Sequence, residues 1–213
     1  MEPFKRLTAV AAPFDTPDID TDMIIPQRFL RKPLTVGYRN FLFFNDRFDA
    51  AGKEKPDFIL HTEPYKKAGI FVTGPNFGCG STREGAVYAV VDFGVRAVIA
   101  PSFGAFYMSN SYQNGLLPVV LPEADVRKLR EQLHAMPGAE LTIDLPAQTV
   151  TGPDGAVYKF NIEPSRKERM LEGLDDIAIT ARYKDAMTAY EKRIEAETPW
   201  LSGKEMQVLV QSP

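Results

Sequence analysis

The alternation of apolar and polar residues is clearest in the middle of the chain. The apolar run Gly69–Thr73 predicts a buried strand, and the glycine-rich residues 74–80 predict a loop after it. Apolar residues then recur at helical spacing, at Ala86, Val87, Val90 and Val91. Gly94 is expected to end this helix, and the run Val95–Ala100 predicts a second strand. The order strand, glycine loop, helix, strand predicts a parallel crossover unit.

The flanking segments predict further strands and helices, and together they indicate a mixed α/β fold. Pro118 lies in the predicted strand Leu116–Leu121 and indicates a sheet edge or a bulge, because proline cannot donate to a central ladder. Residues Thr149–Thr151 are expected to form a hairpin across residues 153–155. The other predicted elements are strands at Phe4–Ala12, Glu140–Leu145 and Ala156–Phe160, and helices at Glu123–Met136, Ser165–Leu171 and Asp185–Glu197.

The glycine loop lies where an anion is expected to bind. It joins the carboxyl end of a strand to the amino end of a helix, where free N–H groups and the helix dipole favour negative charge. Neither nucleotide motif fits, because Cys79 and Arg83 occupy positions that require glycine. Ser81 and Glu84 have the spacing of a capping box, so Ser81 is also a candidate N-cap. The guanidinium of Arg83 beside two hydroxyls suits a small carboxylate.

Length and composition narrow the class of protein. A chain of 213 residues is long enough to bury a sizeable core in one domain. Its formal net charge is −3, so no overall basic field attracts nucleic acid. The single Cys excludes an intrachain disulfide and cannot alone hold a metal cluster, which fits a reducing cytoplasm. We expect neither a secretion signal nor a membrane span, because no apolar run approaches bilayer length.

The glycine loop, read N-F-G-C-G-S-T-R-E over Asn76–Glu84, closely resembles a motif of the 3-isopropylmalate dehydratase (isopropylmalate isomerase) small subunits. This family is the detached swivel domain of the aconitase superfamily. The resemblance implies an α/β fold with three β/β/α layers and a mixed, partly parallel sheet. It also implies one swivel domain over residues 1–213, with the order of the tail from about residue 198 left open. Other segments that resemble the family are Asp18–Pro26, Ala100–Phe103, Asn110–Pro118 and Gly173–Ala178.

The resemblance implies a hydro-lyase that is active only with its large subunit. The family interconverts 2-isopropylmalate and 3-isopropylmalate in leucine biosynthesis, by removing water and adding it back. Its [4Fe-4S] cluster is held by Cys residues of the large subunit, so this chain is expected to bind no metal. Cys79 is then a small packed residue of the loop. The expected partners are the large subunit and a small dicarboxylate, without nucleic acid or membrane.

Three residues carry the catalytic roles that the resemblance implies. Ser81 is the expected base, acting as an alkoxide. Arg83 supplies a cation that favours this charge, and it is expected to hold a substrate carboxylate. Asp22 is expected to orient the surroundings of the hydroxyl, although a lone Asp at such a place is usually a helix or turn cap. Thr82 and Asn76 are expected to donate to the same substrate carboxylate.

The segment Leu30–Tyr38 is, by resemblance, the loop that contacts the variable group of the substrate. Leu34 and Val36 are apolar residues in an otherwise polar loop and suit an isopropyl group. Arg31 is the candidate cation for a second carboxylate, with a neighbouring cation left open as the alternative. The wider segment 27–49 mixes basic and aromatic residues, as nucleic-acid surfaces also do, but the acidic chain favours a partner-facing loop.

The sequence departs from the family pattern directly after the motif. Family members commonly read S-R-E-H-A-P-W-A-L, whereas here Gly85 replaces the His and Val87 and Tyr88 replace Pro-Trp. Ser81 and Arg83 are retained, so the core chemistry is not contradicted. The exact malate derivative and the assembly size stay open. The alternatives are a related dehydratase small subunit that acts on another malate derivative and, less favoured, a non-catalytic ligand-binding or regulatory module of this fold.

Overall fold

The computed structural model describes residues 1–198 and residue 200. The chain divides into two compact units, residues 1–173 and residues 174–213. The first unit holds all strands of the described residues and six α-helices, and the described part of the second holds two α-helices. A single swivel domain over residues 1–213 stays a prediction. The predicted tail from about residue 198 lies, apart from Thr198 and Trp200, outside the described residues.

One mixed sheet organises the first unit, with strand order β4-β3-β2-β1-β5-β6-β7. The half formed by β1 to β4 is parallel, and β5, β6 and β7 continue it from β1 as an antiparallel half. β1 therefore has a parallel neighbour on one side and an antiparallel neighbour on the other. The strands are β1 (Arg6–Pro13), β2 (Ile70–Val72), β3 (Ala97–Ala100), β4 (Leu117–Val120), β5 (Glu140–Asp144), β6 (Thr149–Thr151) and β7 (Val157–Lys159).

The inner strands of the parallel half, β2 and β3, are buried on both faces, as expected of a sheet with crossover helices. Successive side chains of a strand point to opposite faces, and in β2 the residue Phe71 enters one core while Ile70 and Val72 enter the other. All three are fully buried. The uninterrupted apolar run at Gly69–Thr73 thus reflects a strand with no solvent face.

Helices cover both faces of the sheet. The helix α3 packs its buried residues, such as Val87 and Val90, into the first core, and α5 packs Val126 and Leu129 into the second. Gly94 ends α3 at φ 113°, in the left-handed region that favours glycine. The helices are α1 (Thr21–Ile24), α2 (Phe44–Arg47), α3 (Gly85–Phe93), α4 (Ala105–Gln113), α5 (Glu123–Ala135), α6 (Pro164–Glu172), α7 (Asp176–Ala181) and α8 (Lys184–Glu197).

The predicted fold class, α/β with a mixed, partly parallel sheet, is confirmed. The predicted crossover unit is present as β2, α3 and β3, with β2 and β3 paired in parallel. Pro118 lies in β4, at the edge of the sheet, and Thr149–Thr151 pairs with β7 as a hairpin. Among the described residues, no helix is both long and apolar enough to cross a bilayer.

Candidate active site

Two loops meet at the carboxyl ends of the adjacent parallel strands β1 and β2. The chain leaves β1 at Pro13 and enters α1, whereas it leaves β2 at Val72 and enters the glycine loop. Three backbone hydrogen bonds join the loops: Asp18 N donates to Pro75 O at 3.0 Å, Gly78 N to Ile19 O at 2.7 Å, and Thr21 N to Cys79 O at 3.0 Å. These bonds place the first turn of α1 beside the residues that precede α3.

The glycine loop is packed so closely that two of its contacts exclude side chains. Gly78 has φ 73°, and a Cβ there would overlap the ring of Tyr107 in α4. A Cβ on Gly104, just before α4, would lie 2.5 Å from the carbonyl oxygen of Gly78. Tyr107 is buried and stacks edge-on against Phe77, with ring centroids 5.2 Å apart. The helix α4 and the residue before it thus pack directly against the glycine loop.

Four side chains from the two loops form one hydrogen-bonded group, here called the Ser81 cluster: Thr21, Asp22, Ser81 and Arg83. The hydroxyls of Thr21 and Ser81 are 2.7 Å apart. Arg83 donates from Nε to Ser81 Oγ at 2.9 Å and from Nη2 to Thr21 Oγ1 at 3.4 Å. Its Nη1 forms an ion pair with Asp22 Oδ1 at 2.9 Å. The sequence-predicted residues Asp22, Ser81 and Arg83 are therefore brought together.

The cluster directs donors at the oxygen of Ser81. Arg83 has donors only, so its Nε and, at 3.4 Å, its backbone N leave Ser81 Oγ as the acceptor. Thr21 Oγ1 accepts from Arg83, which leaves its own proton free to donate to Ser81. Thr21 is buried, and the Arg83 side chain is 26% exposed. Converging donors in a partly desolvated place stabilise negative charge on the oxygen that they share.

The capping-box interpretation of Ser81 and Glu84 is wrong. The helix α3 begins at Gly85, its N-cap is Glu84, and no side chain caps it. Ser81 lies four residues before the helix and is held by Arg83 and Thr21. Glu84 accepts instead from the hydroxyl of Tyr88 at 2.7 Å. The capping alternative for Asp22 also fails, because the carboxylate that accepts from the helix α1 is that of Asp20.

Thr82 and Asn76 lie in the same loop, and their predicted role as substrate donors stays a prediction. Thr82 is exposed, and its carbonyl oxygen accepts from Asn110 Nδ2 at 3.1 Å. Asn76 donates from Nδ2 to Asp18 Oδ1 at 2.8 Å and from its backbone N to Ser102 Oγ at 2.9 Å. The amide of Asn76 therefore already has a carboxylate partner, whereas Thr82 is exposed and its hydroxyl has no hydrogen bond within the described part of the chain.

The predicted specificity segment Leu30–Tyr38 lies against α3, the helix that follows Ser81 and Arg83. Leu34 is 60% exposed and Val36 is 42% exposed, both in a single 3₁₀ turn. Arg31 is exposed, and within the described part of the chain it has no hydrogen bond or ion pair. A cavity of about 210 Å³ opens between the segment, α3 and the end of α4, lined by Leu34, Tyr38, Tyr88, Val91, Asp92 and Asn114.

Two ionisable groups near the cluster have raised pKa values. The hydrogen bond to the Glu84 carboxylate, together with burial, raises the pKa of Tyr88 to about 12. Burial raises the pKa of the Cys79 thiol, and the carboxylates of Asp20 and Asp18 raise it further. Cys79 therefore stays a thiol at neutral pH, the form that binds metals and electrophiles poorly. Across residues 1–198, no group of three or more His, Cys, Asp or Glu side chains is arranged to hold a metal ion.

Thr21 and the residues that brace the loop were not assigned roles from the sequence. Thr21 contributes the second hydroxyl of the cluster, yet it lies 60 residues before Ser81. Asn110 and Asn114, in and after α4, donate to Thr82 O and to Glu84 Oε1, at 3.1 and 3.4 Å. The only signal for Thr21 was its place in the N-terminal motif, next to Asp22.

Comparisons with known proteins cover almost the whole chain. Residues 1–124 match the family model described as Aconitase C-terminal domain, and residues 127–164 match the model LeuD_N. The 3-isopropylmalate dehydratase small subunits of Parvibaculum lavamentivorans and Xanthobacter autotrophicus are each 47% identical over 201 residues, which is 94% of this chain and 100% of theirs.

A solved structure extends this likeness to the fold. The crystal structure of a 3-isopropylmalate dehydratase from Methanocaldococcus jannaschii superposes with a TM-score of 0.61 at 24% identity, covering 87% of this chain and 99% of that one. At this identity the match supports the fold alone, whereas the curated relatives share 47% of residues over nearly full length. The chain therefore belongs to the family of 3-isopropylmalate dehydratase small subunits.

Proposed function

We propose that this chain is the small subunit of a hydro-lyase that interconverts 2-isopropylmalate and 3-isopropylmalate in leucine biosynthesis. The observation that carries the proposal is the Ser81 cluster, in which Arg83 donates to the hydroxyl oxygen of Ser81 and the hydroxyl of Thr21 lies 2.7 Å from it. A dehydration of this kind needs a base for a weakly acidic C–H next to a carboxylate. The cluster supplies an oxygen that is prepared to carry negative charge.

In this proposal Ser81 is the general base of the dehydration. As an alkoxide, Ser81 Oγ removes a proton from the carbon next to a substrate carboxylate, and it returns the proton during rehydration. Arg83 and Thr21 stabilise the charged oxygen through the bonds described above. Asp22 orients Arg83 through their ion pair, which agrees with the role that the resemblance implies. Binding and removal of the substrate hydroxyl are assigned to the large subunit.

Substrate carboxylates are proposed to bind at the solvent-facing side of the cluster. The Arg83 guanidinium is partly exposed and Asp22 is 56% exposed, so a carboxylate of the substrate can approach the same face. Thr82 is the better placed of the two proposed neutral donors, because Asn76 is bonded to Asp18. Arg31 is proposed as the cation for a second carboxylate, since it is exposed and carries no other hydrogen bond or ion pair among the described residues.

The segment Leu30–Tyr38 is proposed to select the side group of the substrate. Leu34 and Val36 present apolar surface to solvent, which is the expected state of residues that await an apolar group from a ligand or partner. Tyr88, one of the residues that departs from the family pattern, lines the same cavity as Leu34. This shared cavity favours one second candidate function, dehydration of a malate derivative with a different side group.

The large subunit is proposed as the partner that carries the [4Fe-4S] cluster. This chain has one Cys, whereas such clusters are held by several thiolates. Burial and the carboxylates of Asp20 and Asp18 raise the pKa of the Cys79 thiol, which disfavours the thiolate form. We further propose that the complex works in the cytoplasm, whose reducing conditions suit a cluster protein without an intrachain disulfide.

The test is steady-state kinetics of Ser81→Ala in the complex reconstituted with a cluster-loaded large subunit. General-base catalysis is typically worth about 10²–10⁴ in rate, so kcat should fall in that range with KM little changed. Because Ser81 is not the N-cap of α3, its loss should lower stability only by the about 0.5–1.5 kcal/mol of a hydrogen bond. Melting curves check this.

Ser165→Ala is the matched control. Ser165 Oγ donates to the Glu163 carboxylate at the start of α6 and belongs neither to the Ser81 cluster nor to the glycine loop, so kcat should stay near wild type. If folded Ser81→Ala keeps the wild-type kcat, Ser81 is not the base. Turnover by the isolated chain would contradict the two-subunit proposal.

A further inference from the structure

The specificity segment packs on α3 where Leu30 fills the space that the missing side chain of Gly85 leaves. Gly85 opens the helix with a helical backbone and is buried. A Cβ there would lie 2.5 Å from Leu30 Cδ2, 3.5 Å from Tyr38 Cε1 and 4.0 Å from Ile25 Cγ2. Glycine in a helix is unfavourable relative to alanine, so its presence at a helical position needs another reason. The space filled by Leu30 supplies that reason.

Tyr38 holds the C-terminal end of the same segment against α3. It is only 5% exposed, and its hydroxyl donates to Lys32 O at 2.9 Å and to Leu30 O at 3.4 Å. Its ring lies edge-on to the ring of Tyr88 in α3, with centroids 5.9 Å apart. Tyr38 thus ties the beginning of the segment to its end and packs both against the helix. The residues between them, which include Arg31 and the turn Leu34–Val36, are left exposed.

We propose that Gly85 is a specificity-determining position that acts through Leu30. The proposal rests on the function proposed above, in which Leu30–Tyr38 selects the side group. With glycine at 85, Leu30 packs down onto α3, and this contact sets where Leu34 and Val36 stand. A side chain at 85 forces the end of the Leu30 side chain to move. In this proposal the segment moves with it, although residue 85 itself touches no substrate.

Limited trypsin digestion of the isolated chain tests the seating without any need for activity. Trypsin can cleave after Arg31, which is exposed, whereas the Lys32–Pro33 bond resists. When opening is rapid, cleavage follows the population of the open segment. Overpacking commonly corresponds to about a 5- to 150-fold change in such a population. We expect Gly85→Ala to raise the cleavage rate at Arg31 toward the lower end of this range, and Gly85→His toward the upper end.

Two internal controls distinguish local release of the segment from α3 from a general loss of stability. Cleavage at the exposed Arg127 in α5 should not change, because that helix packs on the other core. In the Leu30→Ala background, the methyl group that a Cβ at 85 would meet is gone. There, Gly85→Ala should change the rate at Arg31 less than twofold. Should Gly85→His fail to fold, Gly85→Ala and this double-variant comparison still decide the question.

Selectivity is then measured as the ratio of kcat/KM for isopropylmalate to that for malates with smaller side groups, in the reconstituted complex. Gly85→Ala should change this ratio at least about fivefold. Unchanged cleavage at Arg31 overturns the inference. Faster cleavage with an unchanged ratio overturns the assignment of specificity to Gly85. If the wild-type complex turns over no malate at all, the proposed function fails instead, and the cleavage result still reports on the seating.

Discussion

Arg83→Lys separates the charge of Arg83 from the shape of its guanidinium. Arg83 contacts three members of the cluster at once, through Nε to Ser81, Nη1 to Asp22 and Nη2 to Thr21. A Lys ammonium is a single point charge and cannot reproduce this fork. The Lys ammonium is expected to keep the ion pair with the exposed carboxylate of Asp22 and to lose the hydrogen bond to the oxygen of Ser81. The variant therefore keeps the cation and removes the bond that prepares the base.

The size of the effect follows mainly from the bond to Ser81, which Lys loses, whereas Lys can keep the ion pair with Asp22. A hydrogen bond to a charged group is worth about 1.5–3 kcal/mol, which applies to the 2.9 Å bond from Nε to Ser81 Oγ. The ion pair with Asp22 is worth at most about 1 kcal/mol, because Asp22 is more than half exposed, and Lys can retain it. Since 1.36 kcal/mol is tenfold in rate, kcat/KM should fall by roughly 10- to 150-fold.

The assay is steady-state kinetics of the reconstituted complex, with melting curves for each variant. Because Nε contacts the proposed base itself, we expect kcat to fall as well as KM to rise. Arg130→Lys is the matched control: Arg130 Nη1 also contacts a carboxylate and a backbone carbonyl, at 3.1 and 3.2 Å, but lies outside the Ser81 cluster. A folded Arg83→Lys complex with kcat/KM within about twofold of wild type would refute the role of the guanidinium.

The remaining predictions concern three other features of the site. Thr21→Val removes the second hydroxyl and should lower kcat about 2- to 12-fold, the factor for one hydrogen bond, whereas Thr8→Val, at an exposed hydroxyl pair on β1, should leave kcat unchanged. Replacing Leu34 and Val36 together by Ser should change the kcat/KM ratio between isopropylmalate and smaller malates, with little change in the melting temperature because both residues are exposed. An unchanged ratio would remove the segment from the specificity argument. Tyr88 has an ordinary pKa of 10 that rises to about 12 on folding, so its neutral form contributes stability below pH 10 that is lost as the pH rises through 12. Unfolding measurements across this window should show less loss for Tyr88→Phe than for wild type.

The crossover unit could be predicted because its signals are local. The apolar run before the glycine loop, the helical spacing after it and the stop at Gly94 each depend on residues within a few positions. The edge position of Pro118 could be predicted for the same kind of reason, since the missing N–H belongs to the residue itself. Predictions from such patterns are reliable because the patterns depend on the backbone conformations that a short segment can adopt by itself.

The partners of Ser81 could not be predicted in the same way. The spacing of Ser81 and Glu84 indicated a cap, but two long-range contacts decide the outcome: Thr21 bonds to Ser81 from 60 residues away, and Asn114 reaches Glu84 from 30. Arg83 then holds Ser81 Oγ and keeps it from the helix. A local motif shows which residues can form hydrogen bonds, whereas the pairing of the strands determines which of these residues come into contact. The family resemblance named Asp22, Ser81 and Arg83 together, and the structure brings them into contact despite the wrong local assignment, while their catalytic roles stay a prediction.

The pairing of β1 with β2 in parallel has a consequence for how such a protein can diverge. The chemical groups stand where each strand ends, Thr21 and Asp22 after β1, Ser81 and Arg83 after β2. A parallel pair requires a long connection, and here that connection contains the whole segment 30–38. Substitutions in its middle leave the strand ends in place. If the segment selects the side group, as we propose, then selection on substrate choice acts on one stretch of chain while the residues at the strand ends stay unchanged.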